Sequence, residues 1–321
     1  MTNSKLSRRD AIVRTGVLMG TALAARKVQA GTGSEAASQR RAGRPFRYCL
    51  NTATIRGQKL GIVKEVEVAA QAGYDAIEPW ADAIELYARN GGDLKELHDR
   101  IQDSGLTVEG TIAFAQWLVD DRARRAEGIE QAKREMELAA RIGARRFAAP
   151  PAGATGLPRL DLGVIAERYR VLLEAAGNLG IVPELELWGF SKNLSRLGEC
   201  VCVAMETGHP KACVLADVFH LYKGGSQIEG LRLLGPDAVQ VLHINDYPSE
   251  PPREKINDSY RVYPGDGVAP LAETLRLLHQ TGGQKVLSLE LFSRRYWEQD
   301  PLVVASTGLA KMKVVVERAD L

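Results

Sequence analysis

"VPELELWGF", residues 182–190, decides the fold. Its aliphatic content reads as a strand, yet it carries two acids, Glu184 and Glu186, two residues apart. Side chains alternate along a strand, so both acids share one face while Leu185 and Leu187 share the other. A strand in an open sheet covered on both sides has little use for charge. A closed barrel gives the two faces different neighbours: the leucines pack against helices and the acids look into the interior.

Seven further runs have the same β-rich character: FRYCLN (46–51), AIEPW (76–80), LTVEGTI (106–112), RRFAAP (145–150), ACVLAD (212–217), AVQVLHIND (238–246) and KVLSLELF (285–292). Amphipathic stretches lie between them. Ile62, Val66, Ala69 and Ala70 mark the first, Ile165, Tyr169, Leu172 and Ala176 a middle one, and Leu271, Leu275 and Leu278 a late one, each spaced for one buried helical face. Several end in glycine before the next strand, as in "QAGYDAIE", "DSGLTVE" and "NLGIVPE". Eight such units in about 270 residues predict an α/β fold, a (β/α)8 TIM barrel. The rival, a doubly wound open sheet, lacks a GxGxxG turn after its first strand.

Composition narrows the function. With 45% hydrophobic and 26% charged residues in 321, the chain has ordinary globular values. Residues 1–30 hold six Lys/Arg and one acid, leaving 36 basic and 39 acidic residues in the remainder, a balance opposite to that of a phosphate-binding surface. No nucleic-acid partner is expected. The paired arginines Arg8 and Arg9, the apolar stretch Ala11 to Ala25 and the small-residue end at Ala30 predict an export signal over 1–30, too short to span a bilayer. It resembles a twin-arginine signal, which implies a folded, periplasmic or otherwise exported protein with no stable membrane association afterwards. A polar linker over 31–45 precedes the barrel, 46–321. Cys49, Cys200, Cys202 and Cys213 show no CxxC spacing, so neither a zinc knuckle nor a disulfide framework is indicated.

A barrel puts its active site at the C-terminal ends of the strands. There stand Asn51, Glu78, Glu186, Asp217, His243 with Asn245, and Glu290. One acid at a strand end is commonly a helix cap or a loop ion pair. Four polar residues converging from consecutive strands 5 to 8 are not. Carboxylates packed together repel, and a divalent cation relieves them. Two Glu, one Asp and one His form an oxygen-rich set that suits Mn2+, Mg2+ or Co2+, with Zn2+ less favoured. Such a cation polarises a sugar carbonyl, and Glu186 and Glu290 then serve as base and acid through a metal-stabilised enediolate. Trp80, Trp117 and Trp188 follow strands, where an indole either stacks on a sugar face or plugs the rim. Glu78 is a further acid/base or substrate-hydroxyl partner, against a structural ion pair.

"LADVFHLY" (215–222), "VLHINDYP" (241–248) and "LSLELF" (287–292), taken with the glutamate of strand 5, resemble the xylose isomerase-like, AP-endonuclease-2-type TIM barrels, over roughly residues 46–318. These include sugar isomerases, ketose 3-epimerases and inosose-processing enzymes. The resemblance implies one metal held by Glu186, Asp217, His243 and Glu290, with His220 on the substrate. It also implies a substrate-binding arginine soon after His243; Ser249 stands near that position, with Arg253 and Arg261 further along the loop. A metal-dependent isomerase or epimerase acting on a small sugar or cyclitol is therefore expected. A lyase or dehydratase on keto-sugars or keto-glycosides stays open, as does a non-catalytic exported sugar-binding barrel. A homo-oligomer also stays open.

Overall fold

The computed structural model describes residues 44–321. The expected export signal and all but the last two residues of the linker lie outside the described residues. Eight strands follow in chain order: β1 (Phe46–Asn51), β2 (Ala76–Glu78), β3 (Thr107–Val108), β4 (Arg146–Ala149), β5 (Val182–Glu186), β6 (Val214–Asp217), β7 (Val241–Ile244) and β8 (Lys285–Leu289). Every ladder is parallel, and the sheet order runs β3-β2-β1-β8-β7-β6-β5-β4, so the first and last strands are neighbours. Between β3 and β4 the backbone is joined by Thr111, whose N–H donates to Arg146 O at 3.1 Å and whose carbonyl accepts from Ala148 N–H at 2.9 Å. The sheet thus curls round on itself, as the two-faced strand at 182–190 requires.

The third strand is much shorter than the expected 106–112. Glu109 and Ile112 still donate to carbonyls of the β2 segment, but at Gly110 the chain bulges and Thr111 turns to β4 instead. Gly110 passes close to Glu78: a Cβ there would lie 2.7 Å from Glu78 Oε1, so that carboxyl would have to shift.

The helices are α1 (Ile62–Ala72), α2 (Ala81–Arg89), α3 (Leu94–Asp103), α4 (Arg122–Arg141), α5 (Leu162–Ala176), α6 (Leu197–Glu206), α7 (Val218–Gly224), α8 (Leu271–Gln280), α9 (Arg294–Trp297) and α10 (Pro301–Glu317). The apolar stripes read from the sequence are their buried faces: Ile62, Val66 and Ala69 on α1, Ile165, Tyr169, Leu172 and Ala176 on α5, Leu271, Leu275 and Leu278 on α8. They pack on the outward-facing residues of the strands, including Leu50, Ile77, Leu185, Leu242, Leu287 and Leu289, in one continuous core. A second, smaller cluster of Cys49, Ala76, Ile112, Ala148, Leu215, Val241 and Val286 comes from the opposite strand faces and fills the barrel. All four cysteines are free.

Glu184 sits beside Ala148 in the β4–β5 register, one alternation below Glu186. Its Oε1 is 3.0 Å from Arg146 Nε, and Arg146 also reaches Glu109, which Arg47 Nη1 meets at 3.0 Å. Burial pushes the Glu184 carboxyl up to about 8 against the pull of Arg146, while Glu109 is paired with both Arg47 and Arg146, in an interior where unpaired charge is costly.

One acid outside the barrel is poorly matched. Glu65 on α1 is buried with Oε2 unpartnered, and burial pushes its carboxyl up to about 7. The folded chain then holds a proton that the unfolded chain releases above about pH 4.5. Stability falls as pH rises between those values, and the loss, on the order of 2–3 kcal/mol, persists above the upper one. Glu65→Gln is expected to raise the unfolding midpoint at pH 8 and to leave it nearly unchanged at pH 4.5. Equal effects at both pH values in thermal melts would contradict this.

Candidate active site at the barrel mouth

At the C-terminal end of the sheet the inward faces turn polar. Asn51 is level with Glu78, and Asp217 with His243, as register partners on adjacent strands. Asn51, Glu78, Glu186, Asp217, His220, His243, Arg261 and Glu290 are all buried.

Glu78 Oε2 accepts from Asn51 Nδ2 at 3.0 Å and from Ser288 Oγ at 2.7 Å, and lies 3.0 Å from His243 Nε2. A carboxylate on Nε2 makes that nitrogen the donor and directs Nδ1 into the site. His243 Nδ1 lies 3.2 Å from Glu290 Oε2 and 3.8 Å from Asp217 Oδ2. Asn51 Nδ2 also donates to Glu290 Oε1 at 3.1 Å, tying β1 to β8. Asp217 caps α7 through Oδ1, which accepts from His220 N–H at 2.8 Å, while Oδ2 accepts from Asn245 Nδ2 at 3.1 Å.

Arg261 completes the cluster. Its Nη1 donates to Asp217 Oδ2 and Glu290 Oε2, both at 2.8 Å, and its Nη2 to Asp258 Oδ1 at 2.6 Å. Nη2 also lies 3.1 Å from His220 Nε2. A guanidinium only donates, so that nitrogen accepts and the proton of a neutral His220 sits on Nδ1. Burial lowers the His220 imidazole, which keeps it neutral. Of the two loop arginines downstream of His243, Arg261 is the one that reaches this cluster. Ser249 is exposed on the loop, and Arg253 lies outside the site, against Gly225.

The loop that delivers Arg261 is pinned at its base by Asp246. Its carboxylate accepts backbone N–H bonds from Tyr247, Gly265, Gly267 and Ala269, all between 2.8 and 3.0 Å. "PGDG" (264–267) is therefore a turn wrapped round an acid. Asp246→Ala would leave those donors short of a partner, and a net hydrogen bond to a charged group is worth about 1.5–3 kcal/mol. It is expected to destabilise the chain by about 2–4 kcal/mol in urea unfolding; a change below about 0.5 kcal/mol would contradict the role.

Crowding sets the protonation of the cluster. Burial pushes Glu186 up to about 8, against the pull of His243. Burial would raise Glu290 too, but the charges of His243 and Arg261 reverse it and hold its carboxyl down at about 2. Burial disfavours the charged form of His243, yet contact with Glu290 and Glu78 raises its imidazole well above the usual range.

These residues fit a divalent cation. Asp217, His243 and Glu290 each offer a ligand atom within 4.8 Å of the others. Glu186 Oε2 is buried without a hydrogen-bond partner, and its carboxyl lines the same cavity. A dication would relieve the repulsion that protons and Arg261 now balance. Asp217 and Glu290, which now accept from Arg261 Nη1, would be among the residues holding such a cation, and Asp258 and His220 lie beside Arg261 Nη2.

The cavity above the cluster has a volume of about 210 Å3 and is lined by Glu186, His220, Asp258, Arg261 and Glu290 together with Trp80, Phe114, Trp188, Phe190 and Phe292. Trp80 and Trp188 thus stand at the site, as an indole following a strand can. Trp117 does not: it is fully buried, donates from Nε1 to Pro150 O at 2.8 Å and packs on Tyr169. That indole plugs the wall because its loop folds back under α4 and α5. Phe190 and Phe292 follow strands in the same way as the tryptophans, and the same rule applied to phenylalanine finds them. Asp258 carries no comparable signal, because its place depends on the fold of the long loop.

An inosose isomerase of Halalkalibacterium halodurans is 26% identical over 261 residues, covering 79% of this chain and 90% of that enzyme. A solved structure of the IOLI protein with a binding zinc atom superposes with a TM-score of 0.78 at 23% identity, over 85% of this chain and 99% of that one. An L-ribulose 3-epimerase gives a TM-score of 0.69 at 19% identity, over 86% and 96%. At such identities the two structures speak for the fold alone, and the barrel of this chain agrees with them. The sequence pattern of the xylose isomerase-like TIM barrel matches residues 66–313, and the chain belongs to that family.

Proposed function

We propose that this protein is a sugar or cyclitol isomerase or epimerase that moves a proton to and from a carbon beside a carbonyl. The reading is carried by one observation: Glu186 keeps an unpartnered, buried carboxylate oxygen while its carboxyl lines the cavity that Glu290 and His220 also line. In the sheet order β6 and β7 separate β5 from β8, so Glu186 and Glu290 flank Asp217 and His243. Two carboxyls so placed approach a substrate ring from different sides, one removing a proton and the other returning it. Return to the same carbon on its other face is epimerisation; return to the neighbouring carbon is isomerisation. His220 Nδ1 and Trp80 Nε1 are buried without partners and also belong to residues lining the cavity, as suits a ligand rich in hydroxyls.

Glu186, Asp217, His243 and Glu290 are the residues that would hold a divalent cation, Mn2+, Mg2+ or Co2+ by donor chemistry, with Zn2+ also compatible. Such a cation, when bound, polarises adjacent carbonyl and hydroxyl oxygens and acidifies the neighbouring C–H. Arg261 lines the cavity with its Nε buried and unpartnered and would offer that donor to a substrate oxygen, and Glu78 holds His243 in its tautomer. The inosose isomerase relatives support the same class of reaction. Incubation with inososes and ketoses in the presence of each metal, followed by NMR, is expected to yield an isomer or epimer of at least one of them. A panel that returns every compound unchanged would count against the proposal. Export of the folded barrel by residues 1–30 belongs to it too, and an unprocessed cytoplasmic chain in fractionated cells would contradict that part.

A further inference from the structure

Five aromatic rings stand in one unbroken line around the cavity mouth. Phe292 meets Trp80 at 6.3 Å between ring centroids, Trp80 meets Phe114 at 4.9 Å, Phe114 meets Trp188 at 6.0 Å, and Trp188 stacks on Phe190 at 5.3 Å. Phe190 then touches His220 at 5.7 Å. The rings come from the segments that follow β8, β2, β3 and β5, and all of them line the cavity that holds Glu186 and Glu290.

The collar exceeds what a polyol ring needs. A cavity of about 210 Å3 is smaller than the about 300–1,000 Å3 of pockets for drug-sized ligands, so a sugar or cyclitol ring fills it. One or two aromatic faces suffice to stack on such a ring. Here five rings are gathered, and two of them, Phe114 at the middle of the line and Phe190 at its end, are 39% and 49% exposed. Apolar surface gathered beside a polar site and left in water marks a place where a ligand lands. Nothing on the collar itself calls for an anion: Arg261, which lines the cavity, is bonded to Asp217, Glu290 and Asp258, and Arg56, which stacks on Trp80, is paired with Asp82.

We infer that the substrate is a glycoside whose ring occupies the carboxylate cavity and whose neutral, planar aromatic aglycone lies on the collar of Phe114, Trp188 and Phe190. This rests on the proposed proton chemistry and names its substrate class. It has a chemical consequence. The anomeric carbon of a glycoside is locked as an acetal and offers no carbonyl, so the group that acidifies a C–H must be a ketone on another ring carbon, as in an inosose. The ketone must come from a prior oxidation of a ring hydroxyl.

The test compares methyl, cyclohexyl and phenyl 3-keto-glucosides, and the unoxidised glucosides, by tryptophan fluorescence titration and by deuterium exchange in D2O. The phenyl compounds are expected to bind about tenfold tighter than the methyl ones, since ring stacking adds to simple apolar burial, with cyclohexyl in between. In Phe114→Ala/Phe190→Ala the phenyl-to-methyl ratio should fall toward one; the ligand ladder on the unaltered protein stands even if that variant folds poorly. Equal affinities across the ladder, cyclohexyl matching phenyl, or a ratio unchanged in the folded variant would overturn the inference. Exchange into a free inosose without any phenyl preference would overturn it while leaving the proposed reaction intact. Tight phenyl binding with no exchange into any ketone would support the collar and refute the reaction.

Discussion

Glu290→Gln is expected to lower the rate of proton exchange by about a thousandfold, within the range of about 10²–10⁴ that a positioned acid or base contributes. The substitution keeps the shape of the side chain, so the loss is chemical. Glu290 Oε1 accepts from Asn51 and Oε2 from Arg261, and a glutamine can offer an oxygen to one of them only. The amide neither takes up a proton nor carries a negative charge. Leu289 and Leu291, which pack β8 against the helices, are untouched, so circular dichroism and the melting temperature should stay close to the parent values. The same loss is expected for Glu186→Gln. A Glu290→Gln protein that keeps more than a tenth of the parent rate would remove Glu290 from the acid/base pair.

Asp217→Asn carries the second large effect. Asn can still cap α7 through one oxygen toward His220 N–H, so the fold is preserved while the charge is lost. Groups that merely support a metal ligand are worth about 10–100-fold in affinity, and a ligand itself should be worth at least about 100-fold. The variant should therefore bind Mn2+ or Co2+ at least 100-fold more weakly by equilibrium dialysis, with about one ion per chain retained by the parent protein. An affinity that does not change would mean that Asp217 serves Arg261 and not a cation.

The barrel is legible in the sequence because two periods coexist in it, apolar strands that carry charge on one face and helices with a single apolar stripe. Glu184 and Glu186 show that the two strand faces differ, and the strand ends then mark Glu78, Asp217, His243 and Glu290. What spacing alone leaves open is set by long-range geometry. Arg261, named with Arg253 as a loop candidate, lies eighteen residues beyond His243 in a loop without periodicity, and the N–H bonds round Asp246 hold the base of that loop. The break in β3 depends on how closely Gly110 passes Glu78, a contact between strands that spacing along one strand does not reveal. Trp117 obeys the same local rule as Trp80 and Trp188 but points into the wall, since a side chain in a loop takes its direction from tertiary packing.

Deuterium uptake from D2O tests the central claim most directly, because it reads the proton step even where the equilibrium between isomers lies far to one side. With a divalent cation supplied, an inosose, ketose or ring-keto glycoside should gain one deuterium at the carbon next to its carbonyl, faster than in buffer, and Glu290→Gln should abolish the gain. Wild-type protein that binds these compounds and a metal yet leaves every such C–H unexchanged would contradict the account.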